Sequence, residues 1–464
     1  MYLRRFYDEG LAHASYLVGC QASGEAIVID PARDTAPYHE DARDQGLNIT
    51  GVTETHIHAD YLSGTRQLAQ ETGARMYLSG EGGEDWSYQF ASPRDTIVRD
   101  GDLIEIGKLT LKVLHTPGHT PEHLSFLLTD HPASEQPIGI FTGDFVFVGD
   151  VGRPDLLEKA AGVAGTMEAG ARRLFQSLKR ISQLPDHLQI WPAHGAGSAC
   201  GKGLGSVPSS VLGYEKMVNW AFRITDQEEF VREVLAGQPE APKYFAEMKR
   251  ANKVGPALLT QGELPPRGGA SELEEHLRNG HTLVDLRGVE AFASGHLPGS
   301  LFLPPGKPLV TWAGWLLSYQ EPFAVLLTEQ AQLQQALRAL RSIGLDQVSA
   351  VFLPEVLEGH ELRSSERVRS DQVSWDEEFV LDVRSAQEYG ESHLPGAHNI
   401  HLGHLSERLG EVPDSPVVHC QSGVRSLIAS SLLERAGKHP RDVVGGYTDI
   451  RESVRGRLGS GKGE

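Results

Sequence analysis

Two stretches in the C-terminal half of the chain repeat without slippage. Val284-Asp285-Leu286-Arg287 is followed by Gly295-His296-Leu297-Pro298-Gly299, and Leu381-Asp382-Val383-Arg384 by Ser392-His393-Leu394-Pro395-Gly396. Asp285 to Asp382 and Gly299 to Gly396 are both steps of 97 residues. Solenoid repeats run to about 50 residues, so this period predicts two tandem copies of one small domain. In each copy an apolar run ends in Asp-x-Arg, which reads as a strand closed by a charge pair that holds the fold. The Arg-, Ser-, Glu- and Asp-rich residues 362–374 are the expected exposed connection between the copies. Upstream, residues 252–270 carry the breakers Val254-Gly255-Pro256, Pro265-Pro266 and Gly268-Gly269 and read as a linker. The expected domains are therefore residues 1–252, 265–360 and 370–464, close to the one domain per about 150 residues that length alone suggests.

Charge excludes some partners. There are 43 Lys+Arg against 62 Asp+Glu, a net charge of −19. Nucleic acid and anionic lipid need a basic footprint, so neither is an expected partner. No apolar run approaches the roughly 18 residues of a membrane span. The two arginines at the start have no apolar segment after them, so the start does not read as a secretory signal. The three cysteines, Cys20, Cys200 and Cys420, are far apart, which fits a reducing cytoplasm better than a disulfide framework.

The first 250 residues alternate short β-type runs with helical patterns. Residues 14–20 and 25–30 suggest a hairpin about Ala22-Ser23-Gly24; residues 96–98, 103–106 and 109–114 are further strands. Residues 65–71, stopped by Gly73, and 165–184 have helical spacing. Into this mixed α/β pattern are set Thr55-His56-Ile57-His58-Ala59-Asp60-Tyr61, Thr116-Pro117-Gly118-His119, Phe141-Thr142-Gly143-Asp144 and Pro192-Ala193-His194-Gly195. His56 and His58, two apart on an expected strand, would share a face. Each of the other groups sits beside Gly or Pro at the end of an apolar run, where a sheet presents ligands from its loops. One such histidine would be a packed side chain; the set reads as a metal site. Cys20, in an apolar run, reads as a small core residue. The glycine-rich residues 195–205 contain Gly201-Lys202 but lack the spacing of a phosphate-binding loop.

These motifs resemble the metallo-β-lactamase superfamily, whose signature is H-x-H-x-D-H. Here the last histidine is Tyr61, and a neutral phenol is a poor substitute for the imidazole that helps hold a second metal. Together with His115-Thr116-Pro117-Gly118-His119-Thr120-Pro121-Glu122-His123, the set is similar to the persulfide dioxygenase branch. That resemblance implies one Fe(II) per chain on His56, His119 and Asp144. Two histidines and a carboxylate with open positions are also what non-haem iron oxygen chemistry uses. His58, Asp60 and His194 are then expected to orient the ligands, with His58 a candidate extra ligand. His115 and His123 are read as structural or hydrogen-bonding. Cys200, in the loop after His194, is a candidate thiol for relaying sulfur, the alternative being a packed loop cysteine.

In the last domain a strand end, Val417-Val418-His419, runs into Cys420-Gln421-Ser422-Gly423-Val424-Arg425-Ser426 and then a helical pattern. A thiol before a helix N-terminus lies among backbone N–H groups and the positive dipole end. Arg425 is expected to add a full charge, both effects favouring thiolate. With Asp382-Val383-Arg384, His393-Leu394-Pro395-Gly396 and Gly445-Gly446-Tyr447, this loop resembles a rhodanese domain, whose cysteine carries sulfane sulfur. Cys420 and Arg425 are thus the expected catalytic pair. In the first copy the residues after 323–327 are Thr328-Glu329-Gln330-Ala331-Gln332; Thr328 is expected where the cysteine should stand, and its neutral hydroxyl cannot replace a thiolate as sulfur carrier, so that copy is expected to be inert in transfer.

The expected architecture is an αββα metallo-β-lactamase sandwich followed by two α/β rhodanese-like domains. The resemblance implies oxidation of a low-molecular-weight thiol persulfide by O2 to thiol and sulfite, coupled to sulfur transfer that gives thiosulfate. Persulfide, O2 and sulfite are the expected small-molecule partners, and a homo-oligomer is expected from the resemblance. The rival reading is a dinuclear-zinc thioester hydrolase of the glyoxalase II type with an attached sulfurtransferase.

Overall fold

The structure is a computed structural model and describes residues 1–156, 158, 165–260 and 262–453. The chain divides into two compact units, Met1–Gln261 with Arg341–Gly344, and Gly262–Leu340 with Leu345–Glu464.

In the first unit, strands β1 (Tyr2–Asp8), β2 (His13–Cys20), β3 (Glu25–Ile29), β4 (Asn48–Thr53), β5 (Arg75–Ser79) and β6 (Thr96–Val98) form one sheet in that order. A second six-stranded sheet runs β12-β11-β10-β9-β8-β7, from β7 (Leu103–Ile106), β8 (Leu109–His115), β9 (Leu124–Asp130), β10 (Gly139–Gly143), β11 (Gln189–Pro192) and β12 (Ser210–Val211). The period-2 alternation of strands explains how they stack. Ala14, Tyr16 and Val18 of β2 and Ile27 and Ile29 of β3 pack inward against Leu111, Val113, Phe126 and Phe141 of the second sheet. The intervening Leu17, Ala26 and Val28 face Tyr38 and Ala42 of helix Ala36–Asp44 and Leu68 of helix Thr65–Thr72. On the far side, Leu127, Ile140 and Ile190 meet Leu174, Phe175 and Leu178 of helix Thr166–Ile181 and Phe230 and Val234 of helix Gln227–Leu235. The layers are helix, sheet, sheet, helix. Gly73, at φ +72°, ends the helix before it, as a left-handed C-cap must.

One local expectation fails. His56 and His58 lie in a loop beyond the end of β4 at Thr53, not on a strand. Side chains take the amides that a ladder would use: Thr55 N donates to Asp30 Oδ1 at 2.6 Å and Ile57 N to Glu122 Oε1 at 2.8 Å.

The second unit holds two parallel sheets. The first copy runs β14-β13-β15-β16, from β13 (Thr282–Asp285), β14 (Leu301–Phe302), β15 (Phe323–Leu326) and β16 (Val348–Phe352). The second runs β17-β21-β20-β18-β19, from β17 (Glu366–Val368), β18 (Val380–Asp382), β19 (His398–Asn399), β20 (Val417–His419) and β21 (Arg441–Val443). Apart from β17 the order is the same. Residues 362–374 are therefore not a simple exposed connection: they supply β17, which pairs with β21, and Ser370 is buried. The repeated residues make the same bonds in both copies. Arg287 grips Asp285 and donates to Gly295 O, while Arg384 grips Asp382 and donates to Ser392 O. His296 Nδ1 meets Phe292 O and His393 Nδ1 meets Tyr389 O. Such buried, bidentate pairs tie a strand end to the following turn. Among the described residues, no helix is long and apolar enough to cross a membrane.

Candidate metal centre and thiol loop

Four loops at the C-terminal ends of β4, β8, β10 and β11 converge. His56 follows β4, His119 follows β8, Asp144 follows β10 and His194 follows β11. One nitrogen or oxygen from each of His56, His119 and Asp144 falls within 4.8 Å of the others, and all three residues are buried. His119 Nε2 lies 3.6 Å, and His56 Nε2 3.9 Å, from Asp144 Oδ2. Two glycines allow this approach. A Cβ on Gly118 would sit 2.5 Å from Leu174 Cα, and one on Gly143, at φ +52°, 2.5 Å from Thr55 Oγ1.

The opposite edges of these side chains are all engaged. His119 Nδ1 lies 3.0 Å from Arg153 O, a carbonyl that can only accept, so Nδ1 carries the proton and Nε2 presents a lone pair. His56 Nδ1 meets Thr55 Oγ1 at 3.0 Å, and that hydroxyl donates to Asp30 Oδ2 at 2.9 Å. Asp144 Oδ1 is bonded to His194 Nδ1 at 2.7 Å, and His194 Nε2 reaches Asp60 Oδ2 at 2.8 Å. What remains is informative: His56 Nε2 and Asp144 Oδ2 are buried with no hydrogen-bond partner among the described residues. Two orphaned inward atoms beside a third aimed nitrogen are costly unless a cation joins them, so the donor set fits a metal ion.

The surroundings set the charges. Burial alone would push the His194 imidazole down, but Asp144 and Asp60 on either side hold it well above the ordinary histidine range. Burial opposes the Asp144 carboxylate, and His194 with the other imidazoles outweighs it. Burial keeps His56 and His119 low, hence neutral and able to ligate. His58 lies outside the cluster. Its Nε2 turns to Asp30 Oδ1 at 3.1 Å, and its ring lies 4.2 Å from that of His56. Tyr61 does not replace the missing imidazole, since its hydroxyl donates to Asp30 O at 3.2 Å and burial keeps the phenol neutral.

Asp60, His194 and Cys200 form a second buried group of neighbouring donor atoms. Burial, Asp144 and Asp60 all push the Cys200 thiol well up, so it is protonated there. The glycine-rich loop around it does not cradle a phosphate. Its Lys202 and Gly203 amides both donate to Asp150 Oδ2, at 3.1 and 2.7 Å. Cys20 packs in the sandwich core, where its sulfur also accepts the Lys108 amide.

His123 and His115, within the quoted motif, make hydrogen bonds around the site, whereas Asp30, Asn252 and His13 lie outside every motif. His123 Nε2 accepts the Asp144 amide at 3.1 Å, which puts its proton on Nδ1, toward Thr116 Oγ1 at 2.9 Å. His115 Nε2 instead bonds Pro121 O at the rim. Asp30 binds both Thr55 and His58 from another strand end, and Asn252 holds the His58 and Tyr61 carbonyls. The His13 ring lies 4.1 Å from that of Tyr61, tilted by 38°. Isolated Asp, Asn and His residues carry no spacing signal; β2 and β3 folding beside β4 bring His13 and Asp30 there, and helix Tyr244–Val254 brings Asn252.

Cys420 follows β20 directly and is buried, and Gly423 N donates to its Sγ at 3.1 Å. Gly423, at φ +93°, turns the chain into helix Val424–Arg435. The loop rests on Gly446, where a Cβ would come 2.5 Å from Cys420 O. Arg425 does not act as an unpaired charge. It forms a two-pronged pair with Glu388, at 2.7 and 2.6 Å. Burial raises the Glu388 carboxyl, but Arg425 overcomes this and brings it down to about 2.

The register also corrects which residue of the first copy stands in for the thiol. Asp285 pairs with Leu326 and Asp382 with His419. Leu286 N donates to Leu326 O as Val383 N does to His419 O. Leu327, a buried leucine, therefore occupies the position of Cys420, and Thr328 is one step beyond it.

The family model for the metallo-beta-lactamase superfamily matches residues 8–194, and that for the rhodanese-like domain matches residues 366–453. Human "Persulfide dioxygenase ETHE1, mitochondrial" is 30% identical over 195 residues, 41% of this chain and 67% of the human protein. A "Hydroxyacylglutathione hydrolase" of Prochlorococcus marinus is 30% identical over 175 residues, 38% of this chain and 62% of that protein. A solved structure titled as a metallo-beta-lactamase from Staphylococcus aureus is 42% identical, covering 76% of this chain and 99% of that chain with a TM-score of 0.69. The sandwich, the four converging loops and these matches agree: the chain belongs to the metallo-beta-lactamase superfamily and carries a rhodanese-like domain behind that domain.

Proposed function

We propose that this chain uses O2 to oxidise the terminal sulfur of a low-molecular-weight thiol persulfide, at a single ferrous ion held by His56, His119 and Asp144. The balance is R–S–SH + O2 + H2O giving R–SH, sulfite and two protons. In the second activity, Cys420 carries a sulfane sulfur as a persulfide. Sulfite attacks that outer sulfur, the S–S bond to Cys420 breaks, a new S–S bond forms in thiosulfate, and Cys420 leaves as thiolate. The observation that carries the reading is the convergence of unpartnered His56 Nε2 and Asp144 Oδ2 with His119 Nε2, while Tyr61 is turned away. Bound there, iron would supply the electron exchange with O2 that no amino-acid side chain provides.

The chain's own residues do the rest. Arg153 O fixes the His119 tautomer, and His194, between Asp60 and Asp144, holds the carboxylate with one oxygen facing inward. In the thiol loop, Gly423 N points at the Cys420 sulfur and can stabilise negative charge on it. The human relative named a persulfide dioxygenase supports this reading, as does the rhodanese-like match over Cys420. The reducing cytoplasm is the setting that the cysteine usage suggests.

Thioester hydrolysis by two metals is the second reading, favoured by the Asp60–His194–Cys200 group and by the relative named a hydroxyacylglutathione hydrolase. Against it, Asp60 and His194 already bond each other, and the Tyr61 hydroxyl faces a carbonyl. Metal analysis with an oxygen electrode decides. About one iron per chain and O2 uptake with a persulfide support the proposal. Two zinc per chain with thioester turnover and no O2 uptake refute it.

A further inference from the structure

The loops that carry His56 and His119 meet through one buried carboxylate. Leu124 N donates to Thr55 O at 2.7 Å. An antiparallel ladder continuing from that contact would next pair Ile57 with Glu122. At that rung the Glu122 carbonyl is occupied, accepting from Ser79 Oγ at 2.7 Å. The Ile57 amide is received instead by the Glu122 side chain, Oε1 at 2.8 Å. Glu122 is fully buried, as are Ile57 and His56. It lies three residues beyond His119 in sequence, and Ile57 lies one beyond His56.

We propose that Glu122 is a positioning residue, a side-chain rung that sets the separation of His56 and His119 and so the affinity of the metal centre. The proposal rests on the reading of these two histidines as metal ligands. Glu122 is not one of the three residues whose donor atoms cluster. It acts through the Ile57 amide, which donates to this carboxylate and would lose that buried acceptor if the carboxylate were removed. Burial raises the Glu122 carboxyl to about 7, yet both its neutral and charged forms keep an acceptor oxygen. The function is therefore acceptance, not charge, and a glutamine can supply it.

The test compares the full chain with its Glu122→Gln, Glu122→Met and His56→Ala variants. Anaerobic Fe(II) affinity is measured by chelator competition, and exchange of the Ile57 amide by hydrogen–deuterium methods on metal-free protein. Glu122→Met, similar in length but without an acceptor, should bind Fe(II) about 10- to 100-fold more weakly, the usual effect of losing a group behind a ligand. Its Ile57 amide should exchange fast. Glu122→Gln should keep both properties within about threefold of the parent. Equal affinity in Glu122→Met and the parent, or equal loss in Gln and Met, overturns the proposal. Should Glu122→Met not fold, Glu122→Gln and the exchange data decide alone: a fast-exchanging Ile57 amide in the parent or in Glu122→Gln overturns it. The His56→Ala control separates the two readings. If it binds Fe(II) as the parent does, the metal-centre reading has failed; if it loses Fe(II) while Glu122→Met keeps it, only the role of Glu122 has failed.

Discussion

Asp30 offers the sharpest test of how the candidate metal centre is built. It lies just beyond β3, is 2% exposed and has φ +53°, which Asp tolerates better than most residues. Its carboxylate receives Thr55 N, Thr55 Oγ1 and His58 Nε2, and its carbonyl receives the Tyr61 hydroxyl. In Asp30→Ala the carboxylate's three donors lose their acceptor. At about 1–3 kcal/mol per buried unsatisfied group the loss is about 3–6 kcal/mol, held toward the lower end because His58 can shed its proton. The left-handed backbone adds about 1 kcal/mol for Ala. Asp30→Asn keeps one acceptor and tolerates the backbone, so it should cost about 1–3 kcal/mol. A domain has only about 5–15 kcal/mol in total, so the Ala variant should lose much of its margin and, with it, the capacity of the cluster to bind a metal. Urea titration of metal-free protein, with iron content measured separately, reads both. If the Ala variant is no less stable than the Asn variant, or either matches the parent, the account of this network is wrong.

His119→Ala should lose iron and O2 uptake with a persulfide while keeping sulfur transfer by Cys420; retained O2 uptake would contradict the ligand assignment. Cys420→Ser should keep O2 uptake but release sulfite in place of thiosulfate, checked by product analysis with spontaneous thiosulfate formation subtracted. Glu388 is paired with Arg425 and its carboxyl sits at about 2 against an ordinary 4.5. A lowered folded value means that the stabilisation is present above about pH 4.5 and disappears as pH falls toward 2. The pair is only half-buried, so solvent screening limits it to about 1 kcal/mol. Glu388→Gln should therefore lower the unfolding temperature at pH 7 and leave it unchanged near pH 2, and equal loss at both would refute the pairing as the cause.

Much of this protein is legible in its sequence. The β2–β3 hairpin, the helix stopped at Gly73 and the repeat of Asp285–Gly299 at Asp382–Gly396 follow from local rules. Periodicity, a glycine's freedom and a charge pair two residues apart act within short stretches. The expected strand at His56–His58 failed because side chains, not a neighbouring strand, satisfy its amides. The expected equivalence of Thr328 with the thiol failed because register is fixed by pairing between strands, which makes Leu326, not Leu327, the counterpart of His419. Arg425 was read for its charge, and its partner Glu388 lies 37 residues away in sequence.

The sequence by itself determined the inventory: which imidazoles, carboxylates and thiols exist, that they stand beside Gly or Pro at the ends of apolar runs, and that a tyrosine stands where the motif carries a histidine. Only the tertiary structure decided what each of them faces. It left His56 Nε2 and Asp144 Oδ2 unpartnered, set His194 between two carboxylates, turned His58 and Tyr61 to Asp30, and gave the Ile57 amide to Glu122. The reason is the range of the forces. Backbone preference and hydrophobic pattern act over a few residues, whereas a buried polar group must find its partner wherever the fold brings one, often from a distant part of the chain.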